Sequence, residues 1–103
     1  GTDKEGNQIS LLDIVESEEL DVVEELEKKR QTRKMLELVP AVLNERERFI
    51  VSQRYGLYEK KPMTQREIAA ALGISRSYVS RIEKRALEKL RKNFQDEKNQ
   101  SFL

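Results

Sequence analysis

The chain has 103 residues, enough for one domain or for a small domain with a tail, and too few for a two-domain enzyme. It is 38% charged and 37% apolar, so we expect a small core carried by helices. The net charge of +1 conceals a split: residues 1–27 hold ten acidic side chains and one basic, whereas residues 28–103 hold nineteen basic and nine acidic. We therefore expect two segments with different roles.

The residue types that are missing exclude whole classes of function. The sequence has no Cys and no His, which excludes disulfides, thiolate or imidazole metal sites, and Ser-His or Cys-His nucleophiles. Its four glycines are scattered, so there is no Gly-rich phosphate loop, and its apolar runs are too short for a membrane span or a secretory signal. We expect a cytoplasmic, non-catalytic module without metal or other cofactor. Because it begins at Gly1, we also expect a fragment or a processed product.

Residues 1–27 predict an acidic linker between domains. Residues 1–8 are typical of a polar turn, and seven carboxylates within residues 16–27 favour a solvated linker or a marginal helix. We expect disorder or partner-dependent order up to about residue 20. An apolar patch lies between these stretches and consists of Ile9, Leu11, Leu12, Ile14 and Val15.

Residues 28–98 predict an all-α domain, giving four to five helices in total, and residues 99–103 a frayed tail. Apolar residues at three- and four-residue steps favour a helix from about Asp21, which Pro40 should end or kink. Asn44 and Glu47 form a predicted capping box for a second helix, which should stop at Gly56. A loop covers residues 59–63.

Residues 64–90 (TQREIAAALGISRSYVSRIEKRALEKL) predict two more helices joined by a tight turn. Thr64 and Glu67 form a second capping box, and Gly73 can adopt the left-handed conformation that ends the helix. Ser75 can cap the next helix, which should run to roughly Asn93. This arrangement is typical of a helix-turn-helix, with a small residue, Ala69, where the helices cross. The predicted apolar wedge between them consists of Ile68, Leu72, Ile74, Val79 and Ile82.

The second helix of this pair divides into two faces at about 100° per residue. The apolar stripe consists of Val79, Ile82, Ala86 and Leu90, and the opposite face carries Ser77, Arg81, Lys84 and Glu88, with Ser80 at its edge and Arg76 in the first turn. A B-DNA major groove admits one helix, whose N-terminal residues meet the base edges. The candidate base-reading residues are therefore Arg76, Ser77, Ser80, Arg81 and Lys84.

Other basic residues flank this helix and are candidates for contacts with DNA phosphates, which add affinity without sequence preference. These residues are Arg46, Arg54, Lys60, Arg66 and Arg85. Two alternatives stay open: Arg46 could instead pair with a nearby Glu, and Tyr78 could either pack on the DNA backbone or cover the edge of the core.

The sequence resembles region 4 of the sigma-70 family of bacterial transcription initiation factors. The resemblance rests on residues 43–57 (LNERERFIVSQRYGL), on the helix-turn-helix and on residues 81–92 (RIEKRALEKLRK). Residues 1–15 resemble the linker before region 4 in sporulation sigma factors of the sigma-K and sigma-E type, and residues 75–87 (SRSYVSRIEKRAL) are especially similar to sigma-K.

This resemblance implies binding to the minus-35 element of promoter DNA and docking on the beta flap of RNA polymerase. It implies base contacts by Arg76, Ser77 and Arg81, and it adds Ser75 and Tyr78 to the phosphate contacts. Housekeeping members have an acidic residue where this chain has Ser77, so the preferred minus-35 sequence should differ. No counterpart of the family's region 2 is present, and we expect that the chain alone does not start transcription.

Three alternatives use the same residues differently. A protein-interaction domain, bound by polymerase or by an anti-sigma factor, would dock through Leu36, Val39, Ile50, Leu57 and Tyr58, although Ile50 and Leu57 suit the core better. A free-standing regulator would share the helix-turn-helix but not the sigma-like segments. Finally, residues 16–27 could fold back on the basic helix and suppress DNA binding, or could serve simply as a flexible tether.

Overall fold

The computed structural model describes residues 4–15 and 25–100, and within them it contains helices and no strand. In chain order the helices are α1 (Lys4–Val15), α2 (Glu25–Val42), α3 (Glu45–Arg54), α4 (Gln65–Leu72) and α5 (Arg76–Gln100). The predicted all-α class is confirmed. The last helix is longer than expected, since it continues past Asn93 to Gln100.

Helix α5 is the centre of the molecule and packs against each of the other four helices. Its C-terminal part contributes to a first apolar cluster, which we call the base cluster, and its N-terminal part to a second, which we call the wedge cluster. The buried residues of the base cluster are Leu11, Leu12, Val15, Met35, Leu38, Val39, Leu43, Val51, Leu57, Ala86, Leu90 and Phe94. Those of the wedge cluster are Ile50, Ile68, Ala69, Val79 and Ile82.

Helix α1 lies against α2 and α5 and belongs to the base cluster. Leu11, Leu12 and Val15 are buried, and Arg91 Nη2 of α5 donates a hydrogen bond to the carbonyl oxygen of Ile14 at 3.1 Å. The polar turn predicted for residues 1–8 is wrong over residues 4–8, which are helical. The acidic residues 16–24 lie outside the described residues.

Pro40 does not stop α2 at once, because the helix continues to Val42. Proline has no backbone N–H, so the carbonyl four residues earlier, that of Leu36, loses its helical partner. The hydroxyl of Tyr58 donates to this carbonyl oxygen at 2.7 Å. The loop after α3 therefore supplies the hydrogen bond that Pro40 removes.

Both predicted capping boxes are confirmed. The backbone N–H of Asn44 donates to Glu47 Oε1 at 3.0 Å, and the backbone N–H of Glu47 donates to Asn44 Oδ1 at 2.9 Å. Thr64 and Glu67 form the same reciprocal pair, at 2.9 and 3.1 Å. Each box satisfies N–H groups that the start of a helix leaves without a partner.

Left-handed glycines follow the ends of α3 and α4. Gly56 has φ 61°, and the N–H of Leu57 donates to the Ser52 carbonyl at 2.9 Å. Gly73 has φ 68°, and the N–H of Ile74 donates to the Ala69 carbonyl at 3.1 Å. These hydrogen bonds turn the chain sharply just after each helix, as in a Schellman motif. Helix α3 ends at Arg54, slightly before the predicted stop at Gly56.

Candidate nucleic-acid interface

Helices α4 and α5 form the predicted helix-turn-helix. Ile68, Val79 and Ile82 are buried between them, and Leu72 and Ile74 pack at the margin of the same cluster. Ser75 caps α5 as predicted, because its Oγ accepts the backbone N–H of Tyr78 at 3.1 Å. The wedge cluster thus fixes the orientation of the first turns of α5 relative to α4.

The first turns of α5 separate their polar and apolar side chains as the sequence predicts. The apolar stripe of Val79, Ile82, Ala86 and Leu90 is buried. The candidate base-reading residues Arg76, Ser77, Ser80, Arg81 and Lys84 are all exposed. This face can donate hydrogen bonds to acceptors such as guanine O6 and N7, and its hydroxyls can donate or accept.

Tyr78 and Arg81 contact each other on this surface. The guanidinium carbon of Arg81 lies 5.8 Å from the centroid of the Tyr78 ring, within the range of a cation–π interaction. Tyr78 is 47% exposed, so its ring is largely available to a partner. Its predicted packing on a DNA backbone stays a prediction.

The residues predicted to contact phosphates differ in their surroundings. Arg46, Lys60, Arg66 and Arg85 are exposed, and Arg46 forms no ion pair with any residue that the structure describes, contrary to the alternative considered for it. Arg54 is different because its Nε donates to Glu83 Oε1 at 3.2 Å. Part of its hydrogen-bonding capacity is therefore used inside the domain.

Glu83 forms a buried polar junction that the sequence analysis missed. Its carboxylate accepts hydrogen bonds from Arg54 Nε, from the Tyr55 hydroxyl at 3.1 Å and from Gln65 Nε2 at 2.9 Å. These donors lie on or beside α3 and α4, so one side chain ties both helices to α5. Burial, together with the neighbouring Glu83 charge, raises the pKa of Tyr55 to about 12, which keeps its hydroxyl protonated as a donor.

A second polar contact joins the start of α3 to α5. Lys89 Nζ lies 2.9 Å from the carboxylate of Glu47, whose side chain is only 3% exposed. Burial disfavours the charged form of Glu47, but the hydrogen bonds from Lys89 and from the Asn44 backbone outweigh it and lower the pKa of Glu47 below its ordinary value. The capping box predicted from sequence is thus also a tertiary contact.

The structure corrects the docking surface considered for a protein-interaction domain. Val39, Ile50 and Leu57 are completely buried in the two clusters and cannot present an apolar surface. Only Leu36, half-buried, and Tyr58, 43% exposed, remain accessible among the five candidates.

Among the described residues, no group of His, Cys, Asp or Glu side chains could hold a metal ion. None of the described helices combines the length and the hydrophobicity that a membrane span requires.

Comparison with known proteins identifies the family. The family Sigma-70, region 4, matches residues 41–92, which include α3, the turn at Gly73 and most of α5. The chain belongs to this family. The resemblance to sigma factors of the sigma-K and sigma-E type is also confirmed, because relatives of both kinds match the region 4 chain.

Three relatives align over 90 residues, or 87% of this chain. The region 4 chain is 54% identical to an RNA polymerase sigma-28 factor of Bacillus thuringiensis subsp. kurstaki, 51% to an RNA polymerase sigma-K factor of Bacillus subtilis and 42% to an RNA polymerase sigma-E factor of Clostridium acetobutylicum. It covers only 38%, 30% and 38% of those proteins, respectively. No solved structure matches the chain.

Proposed function

We propose that this chain is the promoter-recognition module of a bacterial sigma factor and that the first turns of α5 bind the minus-35 element in the major groove. The observation that carries the proposal is the exposed face of Arg76, Ser77, Ser80, Arg81 and Lys84, directly after the turn at Gly73. Behind this face, Val79 and Ile82 are buried, so the helix is held with its polar side outward.

The proposed roles divide into base contacts and phosphate contacts. Arg76 and Arg81 are suited to bidentate contacts with guanine, and Ser77 offers a hydroxyl that accepts a hydrogen bond from cytosine only weakly. The exposed Arg46, Lys60, Arg66 and Arg85 supply phosphate contacts, together with Ser75 and the remaining N–H groups of Arg54. The domain therefore combines a specific surface with a salt-dependent, sequence-independent one.

RNA polymerase is the proposed protein partner, and the beta flap is the proposed docking element. Support comes from the names of the relatives, which are RNA polymerase sigma factors. Contact with polymerase would place the module in the cytoplasm, in the transcription of sporulation genes if it follows the sigma-K and sigma-E relatives. An anti-sigma factor is a further partner of the same proposal. A second anchor on polymerase would raise the affinity of this small domain for DNA.

The decisive experiment is selection of duplexes from a randomised DNA pool by this chain, with and without a beta-flap peptide. We expect one short motif to be recovered. Arg76→Ala combined with Arg81→Ala should abolish the preference for that motif and leave binding of the flap peptide intact.

A matched control removes the same charge from another surface. Arg33→Ala combined with Lys34→Ala changes two exposed cations of α2 and should preserve the motif. Recovery of no motif by the unaltered chain, in either condition, would contradict the proposed function. Loss of flap binding by the Arg76/Arg81 variant would instead indicate a shared surface.

A further inference from the structure

Arg81 is held by an aromatic ring rather than by a carboxylate. Residues three apart on a helix are neighbours, which brings the guanidinium of Arg81 over the ring of Tyr78 at 5.8 Å. Arg81 forms no ion pair with any residue of the described ranges, 4–15 and 25–100. Both side chains are exposed on the proposed DNA-binding face.

Arg54 provides the contrast within the same domain. Its Nε donates to Glu83, so that arginine has a neutralising partner and one donor fewer for DNA. A ring restrains a guanidinium through its π face, but it neither neutralises the charge nor occupies the N–H edge. Arg81 is thus restrained and still has its donors available for a bidentate contact.

The position of Tyr78 is itself fixed by the cap of α5. Its backbone N–H donates to Ser75 Oγ at 3.1 Å, and Val79, the next residue, is buried in the wedge cluster. The backbone that carries the ring is therefore fixed in the first turn of α5. Because Arg81 packs against this ring, its orientation is set by the fold of the protein and not by DNA alone.

We propose that Tyr78 is a positioning residue that holds Arg81 in the orientation for bidentate contact with one guanine, and that Tyr78 thereby sets the specificity at that base pair. This inference rests on the proposed function of α5. It assigns to the Tyr78 ring a role distinct from the phosphate contact predicted for this residue, which would use the hydroxyl.

The test compares Tyr78→Phe, Tyr78→Ala, Arg81→Ala and the double variant Tyr78→Ala/Arg81→Ala. Each is titrated with the selected duplex and with duplexes changed at one base pair at a time. Tyr78→Phe keeps the ring and should bind within about twofold of the unaltered chain, whereas Tyr78→Ala should bind the selected duplex about three- to fivefold more weakly. The loss should be confined to the base pair that Arg81→Ala also affects.

The double variant isolates the coupling between the two side chains. If Tyr78 acts through Arg81, Tyr78→Ala should cause no further loss once Arg81 is removed. Tyr78→Leu, which keeps an apolar side chain without a π system, should resemble Tyr78→Ala, and thermal unfolding should show that all variants remain folded. A role in covering the core would instead leave Tyr78→Leu normal.

Three outcomes would overturn the proposal. One is an additive loss in the double variant, and another is a Tyr78→Phe variant as weak as Tyr78→Ala, which would assign the effect to the hydroxyl. The third is a uniform loss on all duplexes. Failure of the proposed function has a different signature: Arg81→Ala would then leave the preference at every base pair unchanged.

Discussion

The capping boxes at the starts of α3 and α4 use the same local hydrogen bonds in different surroundings. In the first, Glu47 is 2% exposed and also binds Lys89 of α5. In the second, Glu67 is exposed and bonds only to Thr64, among the described contacts of its carboxylate. The same sequence signature therefore gives a tertiary connection at α3 and a local helix start at α4.

The difference shows which of the two capping carboxylates is itself bonded to α5. Helix α3 is held to α5 at its first turn by Lys89 and near its end by Glu83, so both of its ends are fixed relative to α5. Helix α4 is fixed to α5 by the wedge cluster and by Gln65, which donates to Glu83. A sequence signal of four residues cannot distinguish these situations.

The largest expected effect comes from Glu47→Ala. This change removes the cap and the buried partner of Lys89, and hydrogen bonds to charged groups are worth about 1.5–3 kcal/mol each. We expect the free energy of unfolding to fall by about 2–3 kcal/mol, measured by urea denaturation followed by circular dichroism. A loss no greater than that of Glu67→Ala would contradict the tertiary role of Glu47.

An intermediate effect is expected at acid pH. The pKa of Glu47 is lowered in the folded state, so this group stabilises the fold above its ordinary pKa of 4.5, and the contribution is lost as the pH falls through the folded value. Stability should therefore decline below about pH 4.5, and Glu47→Gln should flatten that decline. This decline can be measured by thermal unfolding at a series of pH values between neutral pH and pH 3. An unaltered slope in Glu47→Gln would assign the decline to other carboxylates.

The smallest effect is expected from Glu67→Ala. The pKa of Glu67 is lowered by hydrogen bonds from the Thr64 backbone and side chain, but the carboxylate is exposed, and water replaces much of what is lost. We expect a lower melting temperature, with a smaller change than in Glu47→Ala under the same conditions. Equal changes would mean that burial and Lys89 add nothing to the first box.

The sequence predicted the features that depend on residues close together in the chain. Both capping boxes, the left-handed Gly73 and the two faces of α5 follow from spacings of three or four residues. The resemblance to sigma-70 region 4 predicted the family to which the domain belongs. The exposure of Arg76 and Arg81 could thus be predicted, whereas their contacts with bases stay predictions.

The features that the sequence did not predict depend on distant residues. The donors to Glu83 lie 18 to 29 residues away, and the bond from Arg91 to Ile14 spans 77 residues. Helix α1 was not predicted for the same reason, because its buried residues Leu11, Leu12 and Val15 belong to a cluster that also includes residues of α2 and α5. Side-chain periodicity indicates which face is apolar but not what covers it.

The two left-handed glycines impose unequal limits on sequence variation. A methyl group at position 56 would lie 2.8 Å from Pro62 Cγ and 2.9 Å from the Lys60 carbonyl oxygen, whereas at position 73 it would meet no atom within 4 Å. Asparagine at position 73 should therefore reduce stability by little more than the strain of a left-handed backbone, because asparagine tolerates this conformation. At position 56 only hydrogen fits, so randomised libraries should recover glycine alone there while position 73 diversifies.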